Sequence, residues 1–131
     1  MDNRVTLLWP GGEHVFALDL GGLRALQAKC DAGPEQIFLR LATPGGGWRV
    51  DDVYQTLRIG LMGGGMGDGE ATATVRRALD TSPLADLRAP AAEVLSAALY
   101  GVEDDQPGKP EGEAPSPPES GDGPTSTAPA P

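Results

Sequence analysis

Three groups of residues in this sequence could support chemistry. His14 is the only histidine and Cys30 the only cysteine, so the two could serve as a nucleophile and its base. Asp51 and Asp52 could act together as a carboxylate pair. The stretch GLMGGGMGDGE, residues 60–70, holds six glycines and could cradle a phosphate with its backbone N–H groups. Each of these chemical possibilities has a structural alternative.

The glycine stretch fails the tests for a phosphate-binding loop. Such a loop follows a strand and opens a helix, whereas these glycines follow a predicted helix. They contain no G-x-G-x-x-G register, and the only Gly-Lys pair, Gly108-Lys109, is followed by Pro110 instead of Ser or Thr. We therefore interpret residues 60–70 as a helix end that needs left-handed residues, followed by a pliable connector.

The remaining candidates also favour structural roles. A single histidine without a cysteine cluster makes a metal site unfavourable, so we expect His14 to be a surface or hairpin-packing residue. Cys30 falls on the apolar stripe of a predicted helix and is expected to be a small buried side chain. Adjacent acids such as Asp51 and Asp52 are selected at helix starts by capping and by the helix dipole. We predict no catalytic, cofactor-binding or metal-binding residues, and hence no enzyme.

The net charge and the lack of long apolar stretches argue against nucleic acid binding and against a membrane protein. Ten basic against nineteen acidic residues give a formal charge of -9, which opposes binding to nucleic acid phosphates. No apolar stretch approaches the length of a membrane span, and the first residues lack the pattern of a signal peptide. We expect a soluble protein of a reducing cytoplasm that binds neither nucleic acid nor membrane.

The composition divides the chain near residue 100. Residues 101–131 contain eight prolines, seven carboxylates and one lysine, and no aromatic residue. Such a segment cannot bury enough apolar surface to offset the entropy lost on ordering, so we predict a disordered acidic tail. Residues 1–100 are expected to form the folded domain.

Local patterns within residues 1–100 predict a small α+β fold. RVTLLW and HVFAL flank a Pro-Gly-Gly junction and are typical of a hairpin. Asp19 is a candidate cap for a helix over LGGLRALQAKC, and Pro34 suits the first position of a helix over PEQIFLRLA. Asp51 or Asp52 is a candidate cap for a third helix over VYQTLRIGLM. Further helices are predicted over EATATVRRALD and APAAEVLSAALYG, and TPGGGWRV could form a short third strand. The fold class is thus an N-terminal β-hairpin, with a possible third short strand, packed on four or five short helices.

The order of these motifs over residues 4–100 resembles the small tail-assembly proteins of siphophages, above all those of gene transfer agent clusters and related prophages. That family has a hairpin with a glycine turn followed by three helices with short signature motifs. In this chain the motifs fall on Gly11-Gly12, Leu23 to Leu26, Gly33 with Leu39-Arg40, Asp52-Val53, Leu57, Gly60-Leu61 and Gly63-Gly64. The small residues of LGGLRAL and the acidic tail depart from the family pattern, and the second departure leaves the role of the tail open.

The resemblance implies a tail assembly chaperone, although family labels also name a tail tube or minor tail protein. Such a chaperone coats the tape measure protein, a long helix-rich chain, while tail tube subunits polymerise around it, and it is absent from the finished particle. The implied partners are the tape measure protein and the tail tube protein. Two alternatives stay open, namely a structural tail tube or minor tail subunit retained in the particle, and a small adaptor unrelated to phage.

A chaperone of this kind would cover apolar helical faces that aggregate when exposed. Met62 and Met66, beside the glycines, are candidate adaptable contacts. Tyr54, Leu57 and Leu61 lie on one face of the preceding helix and are candidate contacts as well. For all five residues the alternative is a place in the core or at its edge.

Overall fold

The computed structural model describes residues 3–102, which form one antiparallel hairpin and five α-helices. The elements are β1 (Arg4–Trp9), β2 (Gly12–Ala17), α1 (Leu20–Cys30), α2 (Pro34–Ala42), α3 (Val50–Gly63), α4 (Asp68–Thr81), a short 3-10 helix (Leu84–Leu87) and α5 (Arg88–Tyr100). The predicted α+β class is confirmed. Apart from Gly101 and Val102, the predicted acidic tail lies outside the described residues.

Local sequence signals account for the ends of most elements. Trp9 pairs with Gly12 across the Pro10-Gly11 turn, and Gly12 adopts a φ of 117° that a side chain would strain. The Asp19 carboxylate caps α1 by accepting the backbone N–H of Gly22 at 2.8 Å. Pro34 opens α2 as predicted, because its fixed φ suits the first turn and its missing N–H is not needed there.

The predicted third strand is wrong. Residues 43–49 form a loop in which Gly45 and Gly47 take positive φ values of 71° and 75°. Left-handed residues at this spacing prevent an extended run from pairing with the hairpin. The helix α3 starts at Val50, earlier than predicted, so Asp52 lies in its first turn and does not cap it from outside.

Helix α3 forms the centre of the domain. It packs against β2 on one side and against α1, α4 and α5 on the others, while α2 packs mainly against α5. One hydrophobic core results, and its largest fully buried side chains include Phe16, Leu18, Leu26, Ile37, Leu41, Leu57, Leu61, Leu87 and Leu95.

Candidate functional site

The glycine-rich end of α3 is the feature that brings the hairpin and the helices together. A Cβ atom added to Gly63 would lie 1.9 Å from the carbonyl oxygen of Ala17, and one added to Gly64 would lie 2.0 Å from that of Val15. One turn earlier, a Cβ on Gly60 would lie 3.0 Å from Val94 Cγ1. The helix can approach β2 this closely only because these positions lack side chains.

The sequence interpretation of this stretch is therefore correct but incomplete. The left-handed residue that it predicted is Gly65, with a φ of 117°, and a connector follows before α4. The structure adds that the two glycines just before it, Gly63 and Gly64, are needed for contact with the strand. Backbone approach, which pattern analysis does not detect, explains why several glycines follow one another.

Two shallow grooves flank this contact, and each has one methionine in its wall. The first lies between α1 and α3, encloses about 340 Å³, and includes Met62. The second lies between β2 and the start of α4, encloses about 330 Å³, and includes Met66. The two methionines that the sequence singled out thus face different surfaces and do not form one site.

The other candidate contacts belong to the interior. Leu57 and Leu61 are 0% and 1% exposed, so their side chains are part of the core and do not reach a partner in this structure. Tyr54 and Met66 are half-buried and pack against that core. Met62 is 37% exposed and is the most accessible of the five. The surface available to a partner at these positions is centred on Met62.

The groove between α1 and α3, which we call the α1–α3 groove, is lined by small residues on its α1 side. Gly21, Gly22 and Ala25 of α1 line one wall, with Ile59 and Met62 of α3 on the other. The sequence did not predict this wall, because LGGLRAL was interpreted only as a departure from the family pattern. Small residues allow the backbone of another chain to approach closely, as they do where helices pack tightly.

An ion pair between Arg58 and Asp68 lies at one end of the α1–α3 groove. Arg58 Nη1 donates to Asp68 Oδ1 at 2.7 Å and to Met62 Sδ at 3.5 Å, and Gln55 Oε1 accepts from both Arg58 Nε and Nη2. Asp68 is 68% exposed, so the pair contributes little to stability. It places the Arg58 cation beside the Met62 thioether, which stays exposed at the edge of the groove.

A buried ion pair anchors the other end of α3. Arg40 of α2 donates from Nε and Nη2 to the two Asp52 oxygens at 2.9 and 2.7 Å, and the Arg49 backbone N–H donates to Asp52 Oδ2 at 2.8 Å. Asp52 is fully buried, and its hydrogen bonds raise the pKa of Arg40. The arrangement positions the helices and leaves Asp52 no free oxygen lone pair directed to solvent, which fits a structural carboxylate.

Cys30 and His14 do not meet and do not form a nucleophile–base pair. Cys30 is buried at the end of α1, where its Sγ donates to the Asp51 carbonyl oxygen at 3.3 Å. Burial, followed by the charge of Asp52, raises the pKa of the Cys30 thiol from 9.0 to about 12, so it is protonated at neutral pH. His14 lies on β2, and its Nδ1 accepts from Trp9 Nε1 at 2.9 Å.

Neither metal ligands nor membrane-spanning helices are found in the described part of the chain. Within residues 3–102, no group of three or more His, Cys, Asp or Glu side chains could hold a metal ion. None of the helices in that range has the length and apolar character that crossing a membrane requires.

A comparison with protein families shows which family the chain is similar to. The family model described as "Phage tail tube protein, GTA-gp10" matches residues 2–101, which includes every helix and strand described above. No curated protein and no solved structure matches the chain.

Proposed function

We propose that this chain, which belongs to the phage tail tube protein family described as GTA-gp10, is a non-enzymatic tail assembly chaperone. In this proposal it covers apolar helical faces of the tape measure protein while the tail tube polymerises. Membership of the family supports a role in building a phage or gene transfer agent tail. The assignment as a chaperone, and its partners, are the proposed part.

The observation that carries the proposal is the α1–α3 groove. Its wall of glycine and alanine would let a partner helix lie close to the domain, and the flexible Met62 would adapt to side chains that differ along a long partner. Leu20, in the first turn of α1, is 62% exposed and extends the apolar surface. A tape measure protein has many non-identical helical segments, so an adaptable contact suits it better than a rigid pocket.

The small size of the groove also suits a chaperone. A groove of about 340 Å³ offers a partner only a few apolar side chains. Binding there is weak, because the loss of translational and rotational freedom on association costs several kcal/mol that these contacts must offset. Weak binding allows tube subunits to displace the chaperone as they polymerise. The buried Arg40–Asp52 pair keeps α2 and α3 fixed while partners exchange.

Co-expression with the tape measure protein tests the proposal. The tape measure protein should be insoluble alone and soluble together with this chain. Ala25→Lys, which places a long cation in the groove, should abolish the solubilising effect, whereas Ala28→Lys, on the same helix but outside the groove lining, should preserve it. A tape measure protein that is soluble without this chain, or equal effects of the two variants, would contradict the proposal.

A second candidate function is a tail tube subunit, which the description of the family favours. A tube subunit must associate with many copies of itself into closed rings. Electron microscopy of the purified chain at high concentration distinguishes the two functions. A tube subunit forms rings or tubes, whereas a chaperone forms only small soluble species.

A further inference from the structure

Helix α4 packs on fewer elements than α5 does. In the part of the chain that the structure describes, its one extensive contact is with α3, whereas α5 packs on α2, α3 and both strands. The polar link from α4 to α3 is the Arg58–Asp68 ion pair, whose Asp68 side chain is 68% exposed. An exposed pair contributes little to stability, so α4 is held chiefly by the apolar side chains that it buries.

The buried side chains of α4 are small. They are Ala71, Thr74, Val75 and Ala78, and Leu79 is half-buried beside them. The Thr74 hydroxyl donates within α4, to the Glu70 carbonyl oxygen at 2.8 Å. Hydrophobic stabilisation grows with the apolar area that is buried, so this face holds α4 less firmly than fully buried leucines hold α1, α2 and α5.

The connectors of α4 leave it room to move while the rest of the domain stays in place. The end of α3 is fixed against β2, but at Gly65 and Gly67 an added Cβ atom would meet no atom within 4 Å. Beyond α4, Ser82 is extended, and Leu87 is buried in the core again. The two connectors can therefore serve as hinges between fixed parts of the domain.

Helix α4 also has little stability of its own. Its N-cap residue is Gly67, so no side-chain oxygen accepts the free N–H groups of its first turn. Its last turn holds Asp80 and no basic residue, and this charge opposes the helix dipole. Three threonines and Gly69 lower its helix propensity further. Loss of the α3 contact should therefore open the whole of α4 as one unit.

We propose that α4 is a displaceable cover, which undocks from α3 while the rest of the domain stays folded and so exposes an apolar face of α3 to a partner helix. Leu61 lines a groove together with Glu70 of α4, so it loses part of its cover when α4 leaves. Leu57 and Tyr54 lie one and two turns earlier on the same stripe of α3. The uncovered stripe thus carries three of the five contacts that the sequence predicted.

The occupant of this face is an amphipathic helix, because α4 is itself a helix that lies on it. A partner helix with leucines in place of the small residues of α4 would bury more apolar area, at a larger distance between the helix axes. Arg58 lines the α1–α3 groove and also binds the first residue of α4, so undocking joins the groove to the uncovered face. The identity of the partner as the tape measure protein rests on the proposed function, whereas the undocking does not.

Thiol labelling at two matched buried positions tests the undocking in the free, full-length chain. In a Cys30→Ala background, Val75→Cys places one thiol in the middle of α4, and Val94→Cys places one in the middle of α5. The two valines are 0% and 1% exposed. Val75→Cys should react at least about tenfold faster, because local opening is more frequent than global unfolding. Equal rates, or slower labelling at position 75, overturn the inference.

Hydrogen exchange gives a second test, which separates local from global opening. Ile37 is fully buried in α2, which has no extensive contact with α4. Ile37→Val should speed exchange about three- to tenfold for the most protected amides of α2 and α5. Amides of α4 that exchange through undocking should keep their wild-type rates, since undocking leaves α2 in place. A parallel rise in α4 would mean that α4 opens only with the whole domain, and overturns the inference.

Labelling in a complex with the tape measure protein tests the displacement and separates it from the proposed function. Val75→Cys in the complex should react nearly as fast as Arg76→Cys on the exposed side of α4, because the partner helix keeps α4 off α3. Labelling at position 75 that is unchanged or slower in the complex overturns the displacement. If no complex forms, the proposed function fails, while fast labelling of Val75→Cys in the free chain still establishes the undocking.

Discussion

Substitution of Gly63 by alanine tests the close contact between α3 and the hairpin. The added methyl group would lie 1.9 Å from the Ala17 carbonyl oxygen, far inside van der Waals contact. Both groups are attached to backbone, so no rotamer change relieves the clash, and either α3 or β2 must move. Overpacking of this kind costs about 3 kcal/mol at the upper end of the usual range. The higher helix propensity of alanine returns up to about 1 kcal/mol, which leaves a net loss of about 2 kcal/mol.

Thermal unfolding followed by far-ultraviolet circular dichroism measures this loss. For a domain of this size a loss of about 2 kcal/mol lowers Tm by roughly 8–16 °C. The control is Gly69→Ala in the first turn of α4, where no atom lies within 4 Å of the added methyl group. That variant should unfold at the wild-type temperature or a few degrees above it. A Gly63→Ala protein as stable as the control would refute the argument that close approach requires glycine.

Three further predictions concern the interior. Arg40→Met alone should lower the free energy of unfolding, measured in urea, by about 3–5 kcal/mol, because it leaves Asp52 buried without a charge partner. Adding Asp52→Leu should recover part of this loss. Losses that simply add in the double variant would contradict an energetic coupling between Arg40 and Asp52. The free energy of unfolding should fall as pH rises from 9 toward 12, since the pKa of the Cys30 thiol is raised in the folded state and the unfolded chain loses this proton first. Cys30→Ala should lack the share of this pH dependence that comes from the thiol. Identical pH profiles for the two proteins would contradict the burial of Cys30. Leu57→Ala should cost about 2–5 kcal/mol of stability, whereas Met62→Ala should change Tm little, and similar losses from both would contradict the division between core and surface.

Residues with local functions could be predicted from the sequence. Asp19 caps α1, Pro34 opens α2, and the turn at Pro10–Gly12 joins two strands, because each of these features depends on neighbours within a few positions. The burial of Cys30 also followed from its place on an apolar stripe. For these elements, backbone preference and side-chain periodicity favour the same structure.

Features that depend on contacts between distant segments could not be predicted. The Arg40–Asp52 ion pair joins two helices, and the local sequence around either residue does not indicate that the two side chains meet. Periodicity placed Leu57 and Leu61 on an apolar face but could not tell whether that face meets the domain's own core or another protein. The third strand was predicted wrongly because the extended pattern near Trp48 ignored the left-handed glycines Gly45 and Gly47.

The copy number of this chain in finished particles tests the chaperone assignment most directly. Quantitative mass spectrometry would compare purified mature particles with the lysate in which they assemble, using the tube and tape measure proteins as internal references. We expect this chain to be abundant in the lysate and to fall to trace amounts in the particles. A copy number that matches the tube protein through successive purification steps would contradict it and would establish the chain as a structural subunit.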